Sequence, residues 1–421
     1  MNKKRLFTKS LVAVAITMAS QQAMAAGFQL NSQSATGLGR AFAGDAVIAD
    51  NASVMSRNAA AMALFDAPAI SLGINVIDTD INVKNTSVNV PDVGSFPLSD
   101  ASIGDASIVP NIYYIHPIND QWTVGGSIYS NFGTKTEFPD GYGQQFNQQL
   151  PNGVTIGPDL FGGITDVKSI NFGLSAAYRI NSQWSLGAGL DIIYGEGKLV
   201  RGRGMSPDPS NSDIVNIDAD GVGYGFNLGA VYELDENNRF GLSYRYSPTL
   251  KVDGDMYHLL EGGNISNEKL EMPLPDMAEF SGYHRLNQQF AVHYSIQWIG
   301  WSAFDELKTD AGTPINTYEW QDGWHYAIGG TYYLNNDWTL RAGYMHDTSA
   351  QDKITSISVP DSDRNWFSGG FTYHIDSKSN LDVGVTYLMG EDVKVTEGGG
   401  LITATTRADA WLYGIQYSRS F

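Results

Sequence analysis

From about Ala69 onward the chain alternates. Phe240, Leu242, Tyr244 and Tyr246 interleave with Gly241, Ser243 and Arg245. Phe290, Val292, Tyr294, Ile296 and Trp298 interleave with Ala291, His293, Ser295 and Gln297. Trp338, Leu340, Ala342 and Tyr344 face away from Thr339, Arg341 and Gly343, and Leu381, Val383, Val385, Tyr387 and Met389 from Asp382, Gly384 and Thr386. A period of two marks strands whose two faces meet different surroundings. An unbroken aliphatic and aromatic face opposite Arg, Asp and His suits a wall with lipid outside and a polar lumen inside. A soluble sandwich with ordinary core aromatics suits it less well.

The strands are punctuated regularly. Six times an apolar segment ends in Tyr, passes an Asn/Asp-rich turn and restarts on an apolar residue: Tyr114 to Trp122, Tyr178 to Trp184, Tyr232 to Phe240, Tyr283 to Phe290, Tyr333 to Trp338 and Tyr373 to Leu381. Asn and Asp side chains bond nearby backbone and tolerate left-handed conformations, so these are hairpin turns, and their flanking aromatics line up as a belt at a membrane interface. Six turns join twelve strands. One strand around Ala69 to Thr86 precedes them and one around Ala410 to Phe421 follows. The expected fold is therefore all-β, a 14-stranded antiparallel transmembrane barrel, closed because an open edge in lipid leaves backbone groups unpaired. The even count places both ends of the barrel on the short-turn, periplasmic side. The opposite ends carry long segments, Gly133 to Lys168, Arg201 to Gly221 and Asp253 to Glu268, expected to be extracellular loops. Within the first, Gln144 to Leu150 suggests a short helix, and Leu150, Val154, Ile156, Leu160 and Phe161 suggest a greasy vestibule.

The start of the chain follows other rules. Lys3, Lys4, Arg5 and Lys9, an apolar run from Leu11 to Ala19, and Ala23-Met24-Ala25 read as a signal peptide over 1–25. The apolar run is far short of the ~20 residues a spanning helix needs. Residues 26–66, rich in Gly, Ala and Ser, keep neither a period of 2 nor one of 3.6 and are expected to fold as a hatch inside the barrel formed by 67–421. The last strand carries Trp411, Tyr413, Ile415, Tyr417 and Phe421 on one parity, which resembles the C-terminal signature of outer-membrane barrels.

Composition narrows the chemistry. The chain has no Cys, which removes disulfides and thiolate metal sites. Its formal charge is −19, and loss of the four N-terminal cations takes it to −23, which argues against nucleic-acid binding. Gly37-Leu38-Gly39 has no strand before it and reads as a flexible turn, not a phosphate loop. His293 and Ser295 are the one nucleophile-like arrangement, but alternation turns both into the lumen and no third partner is visible. No metal-spaced His cluster occurs and no cofactor is expected. Asp361 and Asp363 beside Arg364 read as a structural ion-pair set. Arg201 ends a strand, either as a rim charge paired with an acid such as Asp208 or as a ligand for a carboxylate.

Ala26 to Asn58 resembles the hatch of the FadL family, long-chain fatty acid transporters of the bacterial outer membrane. Val109 to Trp122, Ser130 to Phe138, Ala176 to Gly189 and Val359 to Ser368 are similar to the family's strands. The resemblance implies passive uptake of hydrophobic molecules from outside, through a tight site beside the hatch and out sideways at a kink in the third strand. By that resemblance Phe28 matches the hatch tip, Asn131-Phe132-Gly133 the kink, Asp347 an acid near the lateral gate, and Arg201 a carboxylate-binding base. Two positions depart from the family. Asn58-Ala59-Ala60 stands where the family has Asn-Pro-Ala, which predicts a looser hatch. The family's second base falls at Ile315-Asn316-Thr317, which leaves Arg201, helped by Arg203. The implied partners are a long-chain fatty acid or another hydrophobe such as an aromatic hydrocarbon, outer-membrane lipid and lipopolysaccharide, and the barrel-assembly machinery through Phe421. A lipid hydrolase and a general porin are the remaining alternatives.

Overall fold

In a computed structural model, residues 27–90 and 94–421 are described; the expected signal peptide lies outside them. Fourteen strands form the wall: β1 Ala69–Val90, β2 Ala106–Pro117, β3 Trp122–Tyr129, β4 Ile164–Arg179, β5 Trp184–Arg201, β6 Val215–Asp235, β7 Asn238–Tyr246, β8 Met277–Arg285, β9 Phe290–Ile299, β10 Gly323–Tyr333, β11 Trp338–Asp347, β12 Arg364–His374, β13 Ser379–Gly390 and β14 Ile402–Ser420. Each pairs antiparallel with its sequence neighbours, and β1 pairs with β14 from Ala69↔Ser420 to Val88↔Ile402, which closes the barrel.

The six short turns fall where the Asn/Asp pattern puts them, and the geometry explains why. In four of them one side chain, Asn119, Asn181, Asn287 or Asn335, accepts the backbone N–H groups two and three residues on at 2.8–2.9 Å. Asp376 does the same with Lys378 and Ser379 at 2.7 Å. Beside the turns, aromatics meet across strands in register. Trp122 lies 4.8 Å from Tyr178, Trp184 4.7 Å from Tyr232, Phe290 4.6 Å from Tyr332 and Trp338 4.9 Å from Tyr373. These rings are on the outer face, as a belt at the membrane boundary requires.

Three expectations for the outer end need correction. The segments around Arg201 to Gly221 and Asp253 to Glu268 are partly strand. β6 starts at Val215, and Thr249–His258 forms a further strand that pairs with it. Asp218 and Asp220 on β6 face Asp255 and Asp253 across this pair on the outer surface. Polar residues can hold a ladder there because they stand above the lipid band, in water. Gln144 to Leu150 is no helix beyond the single turn Gln144–Phe146, and Gln148–Gln149 pairs with Thr155–Ile156 as a small hairpin. In the vestibule, Val154, Leu160 and Phe161 pack against the apolar cluster around Phe28, whereas Leu150 and Ile156 stay exposed.

The hatch is a chain of short turns, which accounts for its missing period. Ala35–Leu38, Ala52–Ser56 and Ala59–Leu64 are brief helical segments, capped by Ser34, Asn51 and Asn58 through side-chain oxygens that accept N–H groups two or three residues on. Almost every hatch residue is buried inside the wall. Glycines on the inner face let the two backbones touch. A Cβ on Gly187 would lie 2.2 Å from the Ala60 nitrogen, one on Gly384 2.3 Å from the Ala35 oxygen, and one on Gly343 2.1 Å from the Arg40 oxygen. Ion pairs complete the fit. Arg40 binds Asp45 at 2.8 Å and Asp50 at 2.7 Å, Asp50 also meets Arg341 of β11 at 3.4 Å, and Arg57 reaches Glu279 of β8 at 3.5 Å. A Gly187→Val protein should still form its barrel but with the hatch levered off the wall. Its conductance in planar bilayers is expected to exceed that of the unaltered protein, and equal conductance would show that the hatch absorbs the side chain.

Candidate functional site

β3 leaves the wall early. It pairs with β2 only from Pro117↔Thr123 to Ile112↔Ile128, so Ala106 to Asn111 of β2 keep a partner on the β1 side alone. After Tyr129 the chain turns inward, and it rejoins β4 as the short strand Gly133–Glu137. The inward turn is held by the hatch. Gln29 bridges Phe132, Leu30 N–H donates to the Asn131 oxygen at 2.6 Å, Gly133 N–H donates to the Phe28 oxygen at 2.8 Å, and Gln33 donates to the Asn131 side chain at 2.5 Å. Above the turn the ring closes again, where Lys135 meets Asp105 at 2.9 Å. The result is a bounded side window between β2 and β3. Asn131, Phe132 and Gly133 therefore stand together at that window.

Phe28 joins the window to a pocket. Its ring packs edge-on against Trp301 at 4.5 Å and Phe304 at 5.3 Å, and lies 5.6 Å from Trp320 and 6.3 Å from Phe132. Gly27, at φ +60°, is wedged between the indoles of Trp301 and Trp320, where any side chain would collide. Outward of this cage lies a narrow pocket with walls that include Val167, Leu199, Met272 and Val359.

Arg201 stands at the pocket's edge, beyond the apolar outer band of β5. Its guanidinium donates to the carbonyls of Ile164 at 2.7 Å and Val200 at 2.9 Å, to the Thr165 hydroxyl at 2.8 Å and to the Ser358 hydroxyl at 2.9 Å. Thr165 and Val359 are themselves pocket walls. No carboxylate pairs with Arg201 among the described residues. Enclosure without such a partner holds its pKa below the ordinary value. Asp208, the partner suggested by the sequence, binds Ser210 and Tyr257 instead. Arg203 does not help Arg201, because it is taken by Asp159 and Asp140, each at 2.7 Å. Ile315 packs on the apolar cluster of the pocket and supplies no charge.

The segment between β11 and β12 straps the pocket. Ser358 accepts from Arg201 through its hydroxyl and from Thr136 through its carbonyl at 2.5 Å, while the Ile357 N–H donates to Glu397 at 3.3 Å. Burial pushes the Glu397 carboxyl up to about 7. At the strap's far end Asp361 accepts the Gly27 N–H at 3.4 Å and binds Arg364 at 2.9 Å. Arg364 also binds Asp347 at 3.1 Å, and His325 lies 3.2 Å from both Asp347 and Asn31 of the hatch. Asp347 thus anchors the start of the hatch. Its route to the kink runs through His325, Asn31 and the hatch backbone, with no direct contact.

Asn58 fixes the hatch near the opposite end. Its side chain donates to the carbonyls of Ala46 at 2.8 Å and Ala230 of β6 at 3.1 Å, and accepts from Ala60 at 3.0 Å. His293 and Ser295 do not form a pair: His293 reaches Thr331 at 3.1 Å, while Ser295 binds Glu279 at 3.0 Å and accepts the Gly44 N–H at 2.9 Å.

Residues 16–421 match the family described as outer membrane protein transport protein (OMPP1/FadL/TodX). The chain belongs to this family. It is 38% identical over 476 aligned positions to the long-chain fatty acid transport protein of Escherichia coli, with all of both chains covered. It is 36% identical to the 47 kDa outer membrane protein of Pasteurella multocida, again over the whole of both. Among solved structures, a FadL homologue of Pseudomonas aeruginosa superposes with a TM-score of 0.79 at 21% identity, covering 94% of this chain and 100% of that one. This protein is accordingly an outer-membrane transport protein, and its fourteen-stranded barrel is that of the FadL family.

Sequence reasoning did not find Trp301, Phe304, Trp320, Ser358 or Glu397. The first three lie within one aromatic-rich stretch, Trp301 to Trp320, whose density was the available signal. Two outcomes follow for this site. No hydrogen bond among the described residues uses the Ala59 amide, which opens a short helical segment, so Ala59→Pro is expected to raise stability by roughly 0.4–1 kcal/mol. A lowered thermal midpoint would show that the ring collides. Glu397 faces the Ile357 amide, the strap serines and Arg201. It is neutral below about 7 and becomes a built-in counter-ion for Arg201 above it. Affinity for a carboxylate ligand should therefore fall several-fold between pH 6 and pH 8.5, and Glu397→Gln should flatten that fall.

Proposed function

We propose that this protein carries long-chain fatty acids passively across the outer membrane and releases them sideways. The observation that carries the reading is Arg201, an enclosed guanidinium bound to carbonyls and hydroxyls alone at the edge of an apolar pocket. An arginine presents paired donors matched to a carboxylate, and apolar walls strengthen that pairing by excluding water. The relatives named as fatty acid transport proteins support the same substrate.

A fatty acid first settles on the apolar vestibule of Leu160 and Phe161. Its carboxylate then replaces the hydroxyls of Thr165 and Ser358 on Arg201, and its chain fills the pocket down to Phe28. Pressure on Phe28 is felt at the window, because the Phe28 carbonyl accepts the Gly133 N–H directly after the inward turn. Loosening of that bond opens a path between β2 and β3 into the bilayer. No covalent step is required, and the protein acts as a transporter and not as an enzyme. Lipid and lipopolysaccharide surround the outer wall, and the barrel-assembly machinery reads the terminal Phe421.

The aromatic cage of Phe28, Trp301, Phe304 and Trp320 favours a second reading, in which flat hydrocarbons use the same pocket. Arg201→Ala separates the two. It should weaken oleate binding about tenfold to a hundredfold, as loss of a charge-assisted hydrogen-bonded contact of 1.5–3 kcal/mol implies, and leave toluene untouched. Unchanged oleate affinity would remove Arg201 from the mechanism. Gly197 lines the pocket, and a Cβ at that position would have nothing within 4 Å, so Gly197→Leu should weaken both ligands without unfolding the barrel.

A further inference from the structure

Two side chains of the pocket wall carry buried polar groups that the chain leaves unpartnered. Thr165 spends its hydroxyl on Arg201, but the Thr134 hydroxyl and the Trp320 indole N–H have no hydrogen-bond partner. Both side chains line the pocket, and they are only 1% and 5% exposed. Directly behind Trp320, with ring centroids 4.9 Å apart, the indole N–H of Trp301 is unpartnered as well. An unpaired donor in an apolar setting costs free energy that a purely apolar side chain avoids. Phe28 and Phe304 in the same cage show that plain aromatic rings fit there.

The placement of these donors relative to Arg201 is informative. Thr134 and Thr136 lie on one face of the short strand Gly133–Glu137, two residues and so about 7 Å apart. Thr136 stands opposite Thr165 at the Arg201 end, and Thr134 lies one step deeper, next to Gly133, which bonds the Phe28 carbonyl. A chain held at Arg201 by its carboxylate therefore runs past Thr134 and Trp320 with its middle carbons. We propose that the pocket prefers acyl chains that carry an oxygen acceptor, a hydroxyl, keto or epoxide group, partway along the chain, read by Thr134 and Trp320. The proposal rests on the reading of Arg201 as the carboxylate site.

The test uses the full-length mature protein in detergent and a positional series of monohydroxystearates, each compared with stearate by calorimetry. At least one isomer should bind about tenfold tighter than stearate. Thr134→Val, which keeps the shape of the side chain, and Trp320→Phe should each erase most of that advantage, read as the ratio of hydroxystearate to stearate affinity within the same variant. Heat-modified migration on gels confirms that each variant keeps its barrel, and Thr134→Val serves alone if Trp320→Phe does not. The proposal is overturned if no isomer outbinds stearate, or if the advantage persists in Thr134→Val. Failure of the carboxylate reading appears differently, as an Arg201→Ala variant that binds stearate normally, because the hydroxyl advantage is a ratio within each variant.

Discussion

A strand that leaves a barrel wall inside a membrane strips its neighbour of hydrogen-bond partners where no water can replace them. This barrel makes that departure between β2 and β3, and compensates with the hatch. Backbone groups of Phe28, Gln29 and Leu30 pair with the inward turn at Asn131 to Gly133 as a sheet partner would. The side window, the position of the hatch tip and the depth of the pocket all depend on this short stretch of borrowed pairing. Remove it, and β3 has no reason to turn inward.

The rest of the hatch is held by complementarity of charge and shape. The lumen wall presents Glu279, Arg245 and Arg341, groups that are expensive to bury alone, and the hatch answers with Arg57, the Ser56 carbonyl and Asp50. The glycines of the wall bring backbones close enough for these contacts to form without water between them. The tip of the hatch differs. From Gly27 to Phe28 its contacts are aromatic and backbone, apart from the Asp361 carboxylate that accepts the Gly27 N–H, so the segment at the pocket carries no ion pair of its own. A plug that is locked at its base and soft at its tip can respond to a ligand without leaving the lumen.

Local physics made much of the fold legible in the sequence. The turns at Asn119, Asn181, Asn287, Asn335 and Asp376 were readable because each is closed by one side chain within three residues. The strand count followed from them. The outer end of β6 was not readable: alternating Gly and Asp look like loop, and only cross-strand pairing reveals the ladder. The site divides in the same way. Phe28, Arg201 and the Asn131 to Gly133 turn were reached through family resemblance. Ser358 and Glu397 were missed because their role exists only once a loop more than 150 residues away folds over Arg201. Arg203 was misjudged for a related reason, since Asp159 claims it from another loop.

The seam between β1 and β14 joins residues at opposite ends of the chain, from Ala69↔Ser420 upward. The hatch ends at Leu64, so only a few residues separate it from the strand that waits longest for its partner. One edge of that seam therefore carries the hatch and the other is the final strand, so the two ends of the chain meet in a single ladder. A change in that ladder acts on the wall and on the base of the plug together.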